Sequence, residues 1–237
     1  MKKFSVRLLA CSLAFLLGSG AVIAWLFYQT NNVGEVAPPA PLVADCAAPK
    51  NFPALARQIP EIKKGKSGYF PKNAFAEEWA GADDFRNDWY GEYLRWMGEK
   101  SLLDASDGGA EIYRFFWLRS FDRPIFMRVE RRGNRIKLFT KELSAPQTVS
   151  RNYSRNLDRT EWCEFLKLLR QADYWNLPTS QRVDGVDGAQ WLLEGVRENR
   201  YHLVDRWTPQ TGEFREACIY LLRLSGVEID KLGEDLY

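Results

Sequence analysis

Histidine is nearly absent from this chain: His202 is the only one in 237 residues. The four cysteines, Cys11, Cys46, Cys163 and Cys218, make no C-x-x-C or C-x-x-H spacing. A zinc centre or a two-metal site therefore lacks its usual ligands. No G-x-S-x-G elbow is present either, so the commonest serine-hydrolase signature is missing. Excess charge of one sign is lacking too. The formal net charge is +2, and dropping Lys2, Lys3, Arg7, Glu35 and Asp45 with the first 49 residues leaves +1. A dedicated nucleic-acid-binding domain carries a marked basic excess, so that class is disfavoured; a local basic patch is compatible with a near-neutral total. No cofactor and no metal are expected.

Charge is also missing from one long run near the start. Leu8 to Tyr28 is 21 residues without a charged side chain, enough at about 1.5 Å per residue to cross a hydrocarbon core of roughly 30 Å. Lys2, Lys3 and Arg7 precede it and no Lys or Arg follows until Lys50. By the positive-inside rule the amino terminus is cytoplasmic and the remainder lies outside. The reading is a cytoplasmic n-region over 1–7 and a single transmembrane helix over 8–28. A signal peptide cleaved after Ala24 and a lipoprotein box ending at Cys11 are rival readings. The Met-Lys-Lys start has a bacterial form, so the expected partner of residues 8–28 is the inner membrane and the expected compartment is the periplasm.

Six of the eleven prolines fall between residues 38 and 60. Residues 29–64 are accordingly read as an extended tether, and residues 65–237 as one periplasmic domain. An oxidising compartment permits a disulfide. Cys163 and Cys218, both in helix-like segments, are the expected pair.

Within the domain, aromatics at Phe85, Trp89, Tyr93 and Trp96 recur at helical steps, with Phe75 and Trp79 before them. They read as the buried stripe of a helix capped by Asp83 or Asp84. Three β-rich runs follow, separated by turns at Asp122-Arg123-Pro124 and Arg132-Gly133-Asn134, and predict an antiparallel meander. Arg128, Arg131, Arg132, Arg135, Lys137 and Lys141 gather around the second hairpin, as a solvated face or as a nucleic-acid or anionic-lipid patch. The polar stretch 144–156 reads as a loop. Asp158 with Glu161 three residues on is a capping box opening a second helix, and residues 211–226 form a third, ended by Gly226. Asp184 and Asp187 lack the further oxygen ligands of a calcium loop and read as a turn.

Residues 189–209, AQWLLEGVRENRYHLVDRWTP, are the densest stretch. A two-residue turn at Glu198-Asn199 makes a hairpin in which Val196 opposes Tyr201, Gly195 opposes His202, Glu194 opposes Leu203 and Trp191 opposes Arg206. Alternation then sets His202 on the face away from Glu194 and Asp205. The register also suggests a stack of Arg206 on Trp191, and space for the His202 ring over Gly195. Two roles for the stretch follow. His202 with Asp205 and Glu194 is the candidate acid–base set of an envelope hydrolase. Trp191, Tyr201, His202, Arg206 and Trp207 are candidate binding residues.

Asp187, Gly188, Trp191, Glu194, Gly195, Tyr201, His202, Val204, Arg206, Trp207 and Pro209, with Cys218 in the following helix, match a pattern. It resembles the D-G-x-x-W-x-x-E-G then Y-H-x-V-x-R-W-x-P pattern of small bacterial proteins of unassigned function. The resemblance spans about 40 residues and implies a hairpin-plus-helix module with no activity attached. The fold expected is α+β: a three-stranded meander plus a hairpin, with helices mainly on one face, after one transmembrane helix. The function expected is non-catalytic binding of a protein or envelope component, an immunity-like role being one form. The hydrolase is the alternative, and an anionic-surface or nucleic-acid binder the third.

Overall fold

The computed structural model describes residue 46 and residues 56–76, 80–105, 109–181, 185 and 187–227. All belong to one unit, residues 46–237. The apolar run 8–28 lies outside the described residues, as do most of the tether, Trp79 and Asp184. Among the described residues no helix is long and apolar enough to cross a membrane.

The architecture is α+β, with a sheet larger than the sequence suggests. In chain order the elements are β1 (Arg57–Gln58), α1 (Ala82–Trp96), β2 (Ala110–Arg119), β3 (Ile125–Arg132), β4 (Arg135–Ala145), β5 (Thr148–Asn156), α2 (Arg159–Gln171), β6 (Ala189–Arg197), β7 (Arg200–Trp207) and α3 (Glu213–Leu224). One seven-stranded sheet runs β1-β7-β6-β2-β3-β4-β5, and every neighbouring pair is antiparallel. The expected meander and hairpin are therefore one sheet, joined where β2 pairs with β6.

Two strands were not foreseen. β5 is the stretch read as a loop: its polar side chains lie mostly exposed along the sheet edge, so no apolar period marks it. β1 sits inside the proline-rich stretch, pairing Arg57 with Tyr201 and Gln58 with Arg200, and Ile59 after it is buried. The sheet, not the local composition, recruits this short strand.

Helices cover both faces of the sheet rather than mainly one. All ten residues of β2 and all nine of β6 are buried, as expected of strands with a layer on each side. On one face Tyr113, Phe115, Trp117, Leu193 and Val204 pack with Trp162 and Phe165 of α2 and Cys218 and Leu222 of α3. On the other, Ile112, Phe116, Leu192 and Leu203 pack with Phe70, Phe75 and Tyr90 and Leu94 of α1. Each such large side chain contributes roughly 1.5–3 kcal/mol on burial. The near-continuous apolar run of β2 is the mark of a strand covered on both faces, but it does not say which element covers the second.

α1 is turned relative to the expected stripe. Its buried residues are Ala82, Asn87, Tyr90, Gly91 and Leu94, whereas Phe85 is 55% exposed and Trp89, Tyr93 and Trp96 are half-buried flanks. Gly91 explains the rotation: a Cβ there would lie 2.5 Å from Ser67 Cβ, so the helix lies close against the 67–69 segment along its smallest side chain. Nor do Asp83 and Asp84 cap the helix, whose N-cap is Gly81 with φ 88°. The Asp83 carboxylate instead accepts from the backbone N–H of Asn73 at 2.8 Å and of Phe75 at 3.1 Å. The capping box of Asp158 and Glu161 on α2 is formed as expected.

The disulfide joins Cys46 to Cys163, with Cα atoms 5.3 Å apart, and not Cys163 to Cys218. Cys218 is a free thiol at 0% exposure. It faces the sheet from α3 among apolar side chains, and burial pushes its thiol pKa well up. Cys163 instead meets a residue of the stretch read as tether. The crosslink therefore extends the folded unit back to residue 46.

Candidate functional site

The β6–β7 hairpin has the expected register throughout, including Gly195 opposite His202 and Trp191 opposite Arg206. Glu198 and Asn199 both have positive φ, 50° and 59°, the geometry of the tight turn that matches strand twist. Alternation then separates the candidate acid–base residues across the sheet.

His202 lies on the α2–α3 side, 3% exposed. Its ring meets Tyr174 edge-on at 5.1 Å and Trp175 at 6.0 Å. The space over Gly195 is not taken by the imidazole. A Cβ there would be 3.0 Å from Tyr113 and from the Tyr174 hydroxyl, which donates to the carbonyls of Leu193 at 3.2 Å and His202 at 3.0 Å. Gly195 is the seat of Tyr174, and Tyr174 and Trp175 form the wall against which His202 rests.

Glu194 lies on the opposite side, 1% exposed. Arg114 of β2, also fully buried, donates through Nε to Glu194 Oε2 at 2.6 Å, and Tyr201 donates to Oε1 at 2.9 Å. Burial raises the Glu194 pKa, while the Arg114 charge pulls it down. Asp205 shares that side but not the partners: the Tyr90 hydroxyl donates to its Oδ2 at 2.8 Å, and Arg86 Nη1 donates to Tyr90 at 2.7 Å. Gln190, its amide oriented by its neighbours, donates to Asp205 Oδ1 at 2.9 Å. The two carboxylates thus occupy separate buried networks, and the sheet lies between them and His202.

Among the candidate binding residues, Trp191 and Tyr201 are buried. Trp191 packs on Phe115 and Trp117 at 5.4 and 5.6 Å. The cation beside it is Arg215, 5.9 Å from the ring centroid, not Arg206. Arg206 reaches outward to the carbonyls of Pro178 at 2.9 Å and Thr179 at 3.2 Å and lies over Phe214. Trp207 is half-buried under Gly185 and Gly188, where added Cβ atoms would come within 2.2 and 2.9 Å of its indole. These five residues do not share one open surface.

An open site forms elsewhere. Residues 98–105, following α1, stand over β3 and β4 and enclose a cleft of ≈ 370 Å³ lined by Glu99, Lys100, Ser101, Leu102, Asp104, Ala105, Ile112, Arg128, Glu130, Arg132 and Lys141. Its wall is tied to the sheet by charged groups. Glu99, 6% exposed, accepts from Arg128 Nε at 2.8 Å and Lys141 Nζ at 2.6 Å. Lys141 also donates to the Met97 carbonyl at 2.7 Å, and Arg114 Nη1 to the Lys100 carbonyl at 2.6 Å. Arg128 pairs further with Glu130. Burial lowers the Arg128 pKa, an effect Glu99 opposes.

Most of the cations read from the sequence as a patch are therefore partnered. Arg131 stands 3.3 Å from buried Glu111, and Arg128 and Lys137 both lie over the Phe139 ring, at 4.3 and 5.0 Å. Sequence reasoning missed Arg114 and Glu99. Arg114 left a signal: it and Glu194 are opposite charges, each in the middle of a β-rich run with apolar or aromatic side chains before it. Glu99 left none, since it falls in a polar stretch. Among the described residues no group of three or more His, Cys, Asp or Glu is placed to hold a metal ion. No family model matches the chain, and no curated protein matches it.

Proposed function

We propose that this chain is a membrane-anchored binding domain without catalysis of its own, displayed in the periplasm, whose partner is a protein or another envelope component. An immunity-like role is one form of it. The observation that carries the reading is the fate of the acid–base residues. His202 is buried on one side of the sheet and Glu194 and Asp205 on the other, whereas the hydrolase reading needs His202 within reach of one of these carboxylates. The Cys46–Cys163 bond supports an oxidising compartment, and the uncharged run 8–28 supports the anchor. The open cleft beside Glu99 is the contact point this reading favours.

The test is site-specific photo-crosslinking in living cells. Probes at Ala105 and Arg132, on the cleft, are expected to give one discrete adduct in the membrane fraction, and a probe at Lys167 on α2 none. The adduct is expected to persist in His202→Ala. Absence of any adduct from the cleft sinks the binding reading. A folded His202→Ala protein that loses the cellular phenotype revives the envelope hydrolase.

A further inference from the structure

The lining of the cleft holds four cations, Lys100, Arg128, Arg132 and Lys141, against three carboxylates, Glu99, Asp104 and Glu130. The decisive point is which of these are already satisfied. Glu99 is held on both oxygens, Oε1 by Lys141 and Oε2 by Arg128. Glu130 meets Arg128 through Oε1 and Arg132 through Oε2, and Asp104 takes Lys64. On the donor side much is left over. Lys100 is exposed, and its ammonium group has no hydrogen-bond or ion-pair partner among the described residues. The contact of Arg132 with Glu130 is a loose ion pair of 3.7 Å, its side chain 59% exposed. Lys141 spends two of its three ammonium protons, on Met97 and Glu99.

We infer that this cleft is a binding site for the anionic head of a small ligand, a carboxylate or a phosphate. The head meets Lys100 and Arg132 at the mouth and the remaining Lys141 proton deeper in, while its body lies against Leu102, Ala105 and Ile112. This deepens the binding reading above and rests on it.

Three features fit such a ligand. A volume of ≈ 370 Å³ lies in the range of small-molecule sites, well above that of a bare ion. The wall is preorganised, because Lys141, through the Met97 carbonyl and Glu99, and Arg114, through the Lys100 carbonyl, tie residues 97–100 to the sheet, so little ordering is needed on binding. Burial of the Arg128 guanidinium, with the nearby charges of Arg114 and Arg132, lowers its pKa by more than Glu99 restores. A further negative charge nearby improves that balance.

The full-length chain, purified in detergent, would be titrated calorimetrically with inorganic phosphate and, separately, with succinate, at an ionic strength held constant with chloride. Saturable binding of at least one anion is expected, weakened tenfold or more in Lys100→Glu/Arg132→Glu and unchanged in Lys167→Glu. The neutral pair Lys100→Met/Arg132→Met, which adds no repulsion, is expected to weaken it as well and covers a failure of the first pair to fold. Binding of phosphate alone identifies a phosphorylated ligand, and of succinate alone a carboxylated one. Saturable binding of neither anion, or equal binding by a folded double variant, overturns the assignment. Neither result touches the crosslinking outcome, which needs no anion.

Discussion

Arg114 and Glu194 sit opposite each other on neighbouring central strands, each without access to water. Two charges there are costly to desolvate, and the contacts that offset the cost are Arg114 Nε to Glu194, Arg114 Nη1 to the Lys100 carbonyl and Tyr201 to Glu194, with Arg114 Nη2 held by the ion pair alone. Breaking such a pair leaves one uncompensated buried charge. Arg114→Met or Glu194→Leu alone is expected to lower stability by about 3–5 kcal/mol, whereas the double substitution recovers most of that loss. Urea denaturation read by tryptophan fluorescence measures it, and additive losses in the double variant would show that the pair does not act as a unit. Because Arg114 also holds the cleft wall, the double variant is expected to bind anions less well despite its recovered stability. His202 teaches a related lesson. Its direction follows from the register, but the Tyr174–Trp175 wall comes from a turn 27 residues earlier and is invisible to strand periodicity.

Elements were legible where local chemistry alone decides them. The capping box of α2 is one case: the Asp158 side chain accepts from the Glu161 N–H at 2.8 Å, and Glu161 accepts from the Asp158 N–H at 2.9 Å. Arg155 of β5 grips the same Glu161, at 2.8 Å through Nη2. These contacts, the Arg155 bond foremost, hold the Glu161 pKa below its usual 4.5. A depressed carboxylate pKa means stability present above the unfolded value and lost as pH falls through the folded one. Wild-type protein is thus expected to lose thermal stability on acidification below about pH 4.5 with a component that Glu161→Gln lacks. Parallel melts at several pH values compare them, and identical acid slopes would remove Glu161 from the account. At neutral pH Asp158→Ala is expected to cost about 1 kcal/mol. α1 shows the opposite case. Four large aromatics at helical spacing looked like a core stripe, yet the helix buries the face with Gly91 because close approach to the 67–69 segment is available only there. Hydrophobicity ranked the faces one way, and steric fit ranked them another.

At the largest scale the described residues of the unit from residue 46 onward form a seven-stranded sheet with helices on both faces, and the long-range ties of that unit begin before the expected domain boundary. The Cys46–Cys163 bridge spans 117 positions. Crosslinks that close long loops restrict the unfolded chain most, so Cys46→Ala or Cys163→Ala is expected to destabilise the unit by about 2–5 kcal/mol. Cys218→Ala leaves the crosslink intact. Denaturation with and without reductant separates the cases: reductant is expected to shift wild type and Cys218→Ala alike, and neither of the other two. A wild-type protein indifferent to reductant would rule out a stabilising bridge.

The residues alone determined the β6–β7 pairing, the capping box, the second and third helices and the α+β class. Each follows from period, turn chemistry or side-chain-to-backbone geometry within a dozen positions. The candidate hairpin was therefore readable down to the face on which His202 lies. Only the tertiary structure decided the disulfide partner, the strand status of residues 57–58 and 148–156, the second helical layer and the Glu99 cleft. All of these depend on segments distant in sequence meeting across the sheet: residue 46 with α2, β1 with β7, α1 with β2, and the 98–105 wall with β3 and β4. Local pattern carries no record of such meetings, because it is the burial of both sheet faces together that selects them.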